Sequence, residues 1–273
     1  MLGLRILTAL ILVPLVVAGV LLASSPALGA AFGLFVVFGA REMARLGGLE
    51  SLAWQWTYAL GVGLLMWALF RGGDVVSARW LEVLASLFWV PTTLVLMALR
   101  RPLLPVTGIR WGVLLLGALQ LGIAWVAVID IHRAGEHGPS LLLYLLVLIW
   151  CADSGAYFAG RAFGRHKLSP RVSPGKTWEG VAGGLAAALL WAVAFHVASD
   201  AGPALSALLL LSLLTAVVSV GGDLWESLLK RQAGLKDSGV LLPGHGGVLD
   251  RIDSLIAAAP VFALGLGLLG EVS

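Results

Sequence analysis

The run at residues 204–220, ALSALLLLSLLTAVVSV, passes directly into Gly221-Gly222-Asp223-Leu224-Trp225-Glu226-Ser227-Leu228-Leu229-Lys230-Arg231. The first part is uncharged and close to the ~20 apolar residues a helix needs to cross a hydrocarbon core. The second part sets Asp223 and Glu226 three positions apart, on one helix face, at the end of that span. A carboxylate in such a setting costs about 2.5 kcal/mol or more on insertion scales, so it lines a cavity, finds a partner or binds an ion. Lys230, four positions after Glu226, offers the simplest partner, an ion pair along one helix. The stretch therefore reads as a membrane helix with chemistry at one end.

Composition extends that reading to the whole chain. With 59% hydrophobic and 12% charged residues among 273, there is more apolar surface than a water-soluble core can bury. Eight further apolar runs, near 6–23, 27–40, 52–70, 81–99, 111–129, 141–159, 181–199 and 252–269, complete an all-α polytopic integral membrane protein with about nine transmembrane helices. The second run is short and extends past Arg41 as an amphipathic stretch. The first is read as a span rather than a cleaved signal peptide, because it is long enough to cross and more spans follow.

Charge placement orients the chain. Alternating nine spans from an inside amino terminus leaves Arg71, Arg79 and Arg133 outside and the other 15 of the 18 basic residues inside, in agreement with the positive-inside rule. Residues 1–140 then form five N-terminal spans, and residues 141–273 a C-terminal region whose polar loops face the cytoplasm. The single cysteine, Cys151, rules out an intramolecular disulfide and reads as a small packed residue. A net charge of +3 with a pI near 9.4 suits anionic lipid or phosphate rather than nucleic acid. Trp54, Trp80, Trp111 and Trp178 lie near span ends as interfacial anchors, and His196, inside the seventh span, reads as a packed helix residue.

Two segments concentrate the remaining polar residues. In the first, Asp153 lies within an apolar run, and Pro170 and Pro174 break the helix pattern before Lys176-Thr177. Ser173-Pro174-Gly175-Lys176-Thr177 is no Walker A loop, since position 170 is proline where that loop needs glycine. Lys176 and the amino end of a helix starting near Thr177 still suit phosphate. Gly160 and Gly164, with Gly180, Gly183 and Gly184, are spaced for close helix packing.

In the second segment Pro243-Gly244-His245-Gly246-Gly247 forms a turn whose amides are free to face phosphate, just ahead of a span opened by Asp250 and Asp253 on one face. Those two carboxylates either complement the helix dipole or, with basic residues beside them, hold a hard divalent cation together with substrate phosphates. His245 reads equally as a general base, a phosphate donor or a turn residue.

Together these residues resemble the phosphatidate cytidylyltransferases, or CDP-diacylglycerol synthases. Thirteen positions from Ser227 through Lys230, Arg231, Lys236, Asp237, the 243–247 turn, Asp250 and Arg251 to Asp253 look like that family's signature. Asp153-Ser154-Gly155-Ala156-Tyr157 and Ser173-Pro174-Gly175-Lys176-Thr177-Trp178-Glu179-Gly180 are similar to its upstream motif, with glycine at 175 where some members carry lysine. The resemblance implies transfer of the cytidylyl group of CTP to phosphatidic acid, with Mg2+ as cofactor, at a bacterial-type inner membrane. It implies metal ligands at Asp223, Asp250 and Asp253, with Asp153 and Glu226 as further candidates. Catalytic roles fall to Lys236, His245, Asp250 and Arg251. Substrate contacts fall to Lys176, Thr177, Ser227, Lys230, Arg231, Gly244, Gly246 and Gly247. A related CTP-dependent transferase using another lipid phosphate is the nearest alternative. An ion or lipid transporter is a more distant one, because its polar groups would sit near the midplane. Whether the protein forms a homodimer stays open.

Overall fold

The computed structural model describes residues 2–72, 75–100, 104–199, 201–239 and 246–271. Among them each apolar run becomes one α-helix: α1 (Leu2–Leu22), α2 (Ser25–Leu46), α3 (Leu52–Gly72), α4 (Val75–Ala98), α5 (Trp111–His132), α6 (Gly138–Phe163), α7 (Trp178–Ala198), α8 (Leu205–Gln232) and α9 (Leu249–Leu268). Seven of these, all but α1 and α3, are long and apolar enough over their described residues to cross a bilayer. The chain is thus a helical, polytopic integral membrane protein. Large apolar side chains such as Leu190, Val197 and Leu210 face outward, while Glu42, Gln120, Ser212, Thr215 and Glu226 are buried. That inversion is what a lipid solvent demands.

Several helices overrun the expected spans. The second continues past Arg41 to Leu46 with Glu42, Met43, Ala44 and Leu46 buried, and the eighth continues past Val220 to Gln232 as one rod. Asp223, Glu226 and Lys230 therefore stand on consecutive turns of a single helix. The seventh helix starts at Trp178, as the expected start near Thr177 has it and three positions ahead of the apolar run, and His196 lies in its last turn. His196 is exposed there instead of packed, since a helix end lets the imidazole reach the interface.

One departure from an all-helical chain occurs between α6 and α7. Strands β1 (Lys167–Ser169) and β2 (Ser173–Thr177) pair antiparallel across the Pro170 turn. The prolines that break the helix pattern thus also permit a hairpin, because Pro170 sits in the turn, where no ladder donor is needed. Leu168 and Val172 bury against Leu96, Met97, Val181 and Leu224, and the Arg100 guanidinium donates to the Leu168 carbonyl. The hairpin is fastened to α4, α7 and α8.

The helix at the centre is α9, which packs against α2, α4, α5, α6 and α8 and is buried almost continuously from Ser254 to Ala263. Two apolar clusters meet on it, one around Trp89 and Trp125, the other around Tyr144 and Phe262. Contact with α8 is closest at Gly222, where an added Cβ would overlap the Asp253 carbonyl and lie 3.0 Å from Ala257 Cβ. On the other side α6 and α7 approach through small residues, as their spacing predicts. A Cβ on Gly184 would fall 2.7 Å from the Ala152 carbonyl, and one on Gly160 would lie 3.5 Å from Gly180 Cα.

Candidate active site

The first motif segment is arranged by the start of α7. Thr177 is its N-cap, and the Thr177 hydroxyl oxygen accepts the Gly180 N–H at 3.1 Å. Glu179, in the first turn, accepts from the Arg165 and His166 amides and meets His166 Nδ1 at 2.6 Å. Trp178 N–H donates to the His166 carbonyl at 2.9 Å. With both ends of the hairpin tied to one helix start, Lys176 extends across to α8, where its ammonium lies 3.1 Å from Asp223 Oδ2.

That ion pair stands in a cavity of about 460 Å³ between α6, β2, α7 and α8. Asp153, Arg161, Lys176 and Asp223 are the charged residues of its lining, while Val181, Leu185 and Val220 supply apolar wall. Asp253 of α9 lies within electrostatic reach of Asp223, Asp153 and Lys176. Three carboxylates from three helices thus share one neighbourhood with one ammonium. Ser227, one turn beyond Asp223, donates to Asp223 Oδ1 at 3.3 Å.

A second knot lies beside it. Lys230 Nζ donates to Glu226 Oε2 at 2.6 Å and to Asp250 Oδ1 at 2.5 Å, all three groups being largely buried. The helical pair expected from the sequence is present, but half of its function is to join α8 to α9. Asp250 Oδ2 accepts from Ser238 N at 3.1 Å, Ser238 Oγ at 2.9 Å and Gly247 N at 2.8 Å. So Asp250 and Asp253, one face in sequence terms, serve two settings: Asp250 closes the loop before α9, and Asp253 lines a small space beside Glu226, within electrostatic reach of Asp153 and Asp223. Glu226 lies between them, within electrostatic reach of both.

The glycine turn behaves differently from its expected phosphate cradle where it is described. Gly247 turns its N–H to Asp250, and the next two amides, of Val248 and Leu249, are accepted by Glu42 of α2 at 3.1 and 2.7 Å. Gly246 has φ +81°, a left-handed backbone that favours glycine. Gly244 and His245, with Pro243, lie outside the described residues. Arg231, Lys236 and Arg251 are exposed on the same end of the molecule.

Glu42 is the participant that sequence reading missed. It carries the same signal as Asp153, a carboxylate within an apolar helix. Arg41 and Arg45 on either side, however, suggest a solvated local cluster. In the fold Arg41 lies over the Trp56 ring, 5.3 Å from its centroid, and Glu42 turns inward. Trp89 and Gln120 were also unmarked. With Glu226 and Asp253 they line a space of about 10 Å³, and Trp89 Nε1, Gln120 Nε2 and Glu226 Oε1 have no partner among the described residues. The space is on the order of a single water molecule.

The donor set around the cavity is all oxygen, which suits a hard cation. Among the described residues no three His, Cys, Asp or Glu side chains converge as a ready-made metal cage. An ion here would complete its shell with water and substrate oxygens, as Mg2+ does and as cage-bound metals do not.

Fold and site together define a membrane-embedded enzyme for phosphate chemistry, with carboxylates and lysines gathered at one end of a helical bundle. Comparison with known proteins narrows the class. Residues 3–269 match the cytidylyltransferase family, and the chain belongs to it. The chain is 45% identical to the phosphatidate cytidylyltransferase of Pseudomonas aeruginosa, over 96% of each protein. It is 38% identical to that of Haemophilus influenzae, over 96% of this chain and 98% of the relative. With the Bacillus subtilis phosphatidate cytidylyltransferase it shares 43% identity over 55% of each. The chain is a nucleotidyltransferase.

Proposed function

We propose that the protein transfers the cytidylyl group of CTP to phosphatidic acid, releasing pyrophosphate and leaving CDP-diacylglycerol in the membrane. The observation that carries this reading is the Lys176–Asp223 pair, which joins the upstream motif across the cavity to α8, one turn ahead of the Ser227–Asp253 signature. Polar groups at one end and apolar wall beside them match a substrate that is a phosphate on a lipid. Full-length relatives named for this reaction support the same reading.

The reaction needs little covalent chemistry from the protein. A phosphatidate oxygen attacks the α-phosphorus of CTP; a new P–O bond forms as the bond to the β-phosphate bridging oxygen breaks, and pyrophosphate leaves with that electron pair. What the chain supplies is positioning and charge. Lys176 exchanges its Asp223 partner for a phosphate oxygen as substrate enters. Lys230, pinned by Glu226 and Asp250, holds positive charge at a fixed place. Arg231, Lys236 and Arg251 attract the triphosphate at the cavity's mouth. Mg2+, when bound, neutralises phosphate charge. Asp223, Asp253 and Asp153 would hold it, with Asp250 and Glu226 as further candidates.

All nine helices span the membrane in this proposal, with the amino terminus inside. The hairpin and the loop before α9 then face the cytoplasm of a bacterial cell, where CTP is found. Residues 141–273 carry the chemistry and residues 1–140 form the scaffold around α9. The test is incubation of detergent-purified protein with labelled CTP, Mg2+ and phosphatidic acid. A lipid-soluble CDP product is expected. Its absence across lipid phosphate acceptors would overturn the assignment.

A further inference from the structure

We propose that Glu42, outside both motif segments, is a positioning residue of the cytidylyl-transfer site, clamping the start of α9 so that Asp250 and Asp253 are presented to α8. The inference rests on the reading of the reaction given above. Glu42 is buried, with 7% of its surface exposed. Its carboxylate accepts from Val248 N (3.1 Å), Leu249 N (2.7 Å) and Ser238 Oγ (3.0 Å). No cation pairs with it among the described residues. A buried carboxylate without an ion partner is tolerable only where several donors converge, and a helix amino terminus adds the favourable end of the dipole.

Two features tie this clamp to the reacting groups. Ser238 is shared: its single hydroxyl proton serves Glu42 Oε2, at 3.0 Å, or Asp250 Oδ2, at 2.9 Å, so the loop is held between the two carboxylates. Gly239 and Gly247 are the positions at which an added Cβ would overlap the Glu42 carboxylate. These glycines make room for Glu42, which accounts for part of the glycine-rich signature without any ligand. Moving Glu42 would free the first turn of α9, and with it the direction of Asp250 and Asp253. Partners of this kind, one step removed from the reacting groups, typically change activity or metal affinity by about 10- to 100-fold when altered.

The test compares Glu42→Gln, Glu42→Asp and the exposed control Glu50→Gln in full-length protein. Glutamine keeps the shape but turns an amide donor toward amide donors. Expected for Glu42→Gln are a monodisperse protein, kcat lower by about 10- to 100-fold with KM for CTP changed far less, and a higher Mg2+ requirement. Hydrogen exchange of the 246–253 segment, measured without metal or substrate, should accelerate. Glu42→Asp should recover part of both effects, and Glu50→Gln should match wild type. Wild-type kcat and wild-type exchange in Glu42→Gln would overturn the proposal. So would a loss of activity matched only by loss of folded protein, the folded fraction keeping full kcat. If the wild-type protein itself makes no lipid product from CTP, the assigned reaction fails instead, and the exchange measurement still decides the clamp.

Discussion

Lys230 Nζ lies 2.5 Å from Asp250 Oδ1, joining two helices whose paired residues are twenty positions apart. The same ammonium lies 2.6 Å from Glu226 Oε2 in a site where Glu226 is only 3% exposed. Removing one member of a buried ionic cluster leaves the others uncompensated, at a cost of about 3–5 kcal/mol. Lys230→Met should therefore lower both the thermal midpoint and turnover, the latter by more than tenfold. Arginine should restore more stability than activity, because its fork cannot place one charge between two carboxylates as an ammonium does. A Met variant with unchanged midpoint would show that the cluster does not hold α8 to α9.

Asp253 and Asp250 separate by substitution. Asp253→Asn should abolish turnover while the protein still inserts and folds, since the amide keeps the shape and removes the charge a cation requires. Asp250→Asn should abolish turnover and also destabilise, because its carboxylate holds Lys230, Ser238 and Gly247. Activity at saturating Mg2+ and thermal unfolding measure the two effects. Most of the activity retained in either variant would remove that residue from the ligand set.

Gly222 tests the helix crossing. A valine there must push α9 away from α8, since its Cβ would overlap the Asp253 carbonyl. Overpacking of this kind costs about 1–3 kcal/mol. Gly222→Val should lose at least tenfold in turnover, whereas Gly61→Ala, with open space at its Cβ, should be neutral. Equal activities for the two variants would show that the approach at Gly222 is not needed.

Topology follows from the 15 basic residues placed on one side of nine spans. Reporter fusions after residues 170 and 240 should report cytoplasmic placement. Periplasmic signal at either position would break the single-site arrangement, because CTP would not reach it.

Direct displacement predicts that labelled pyrophosphate exchanges into CTP only when lipid substrate or product is present. Ser227 donates to Asp223, and neither Ser173 nor Ser227 has a histidine beside it in sequence to activate it as a nucleophile. Robust exchange by lipid-free protein, or an isolated cytidylylated enzyme, would overturn the one-step mechanism.

Lipid solvation made the helices legible in the sequence, because an apolar run near twenty residues has few alternatives once backbone groups must be satisfied internally. The i,i+4 pairing of Glu226 with Lys230 and the helix start near Thr177 were legible for the same reason: they depend on neighbours along one chain segment. The β1–β2 hairpin was not, since Pro170 and Pro174 signal a break without saying whether strands pair across it. Only the tertiary structure decided that Asp250 and Asp253 part company, that Gly247 spends its amide on Asp250, and that Glu42 reaches α9 across 207 positions of sequence. Local spacing sets which groups share a helix face. Which distant group meets that face depends on how closely helices approach, and here that is decided by missing side chains at Gly222, Gly239 and Gly247, whose meaning appears only when the opposing carbonyl or carboxylate is in place.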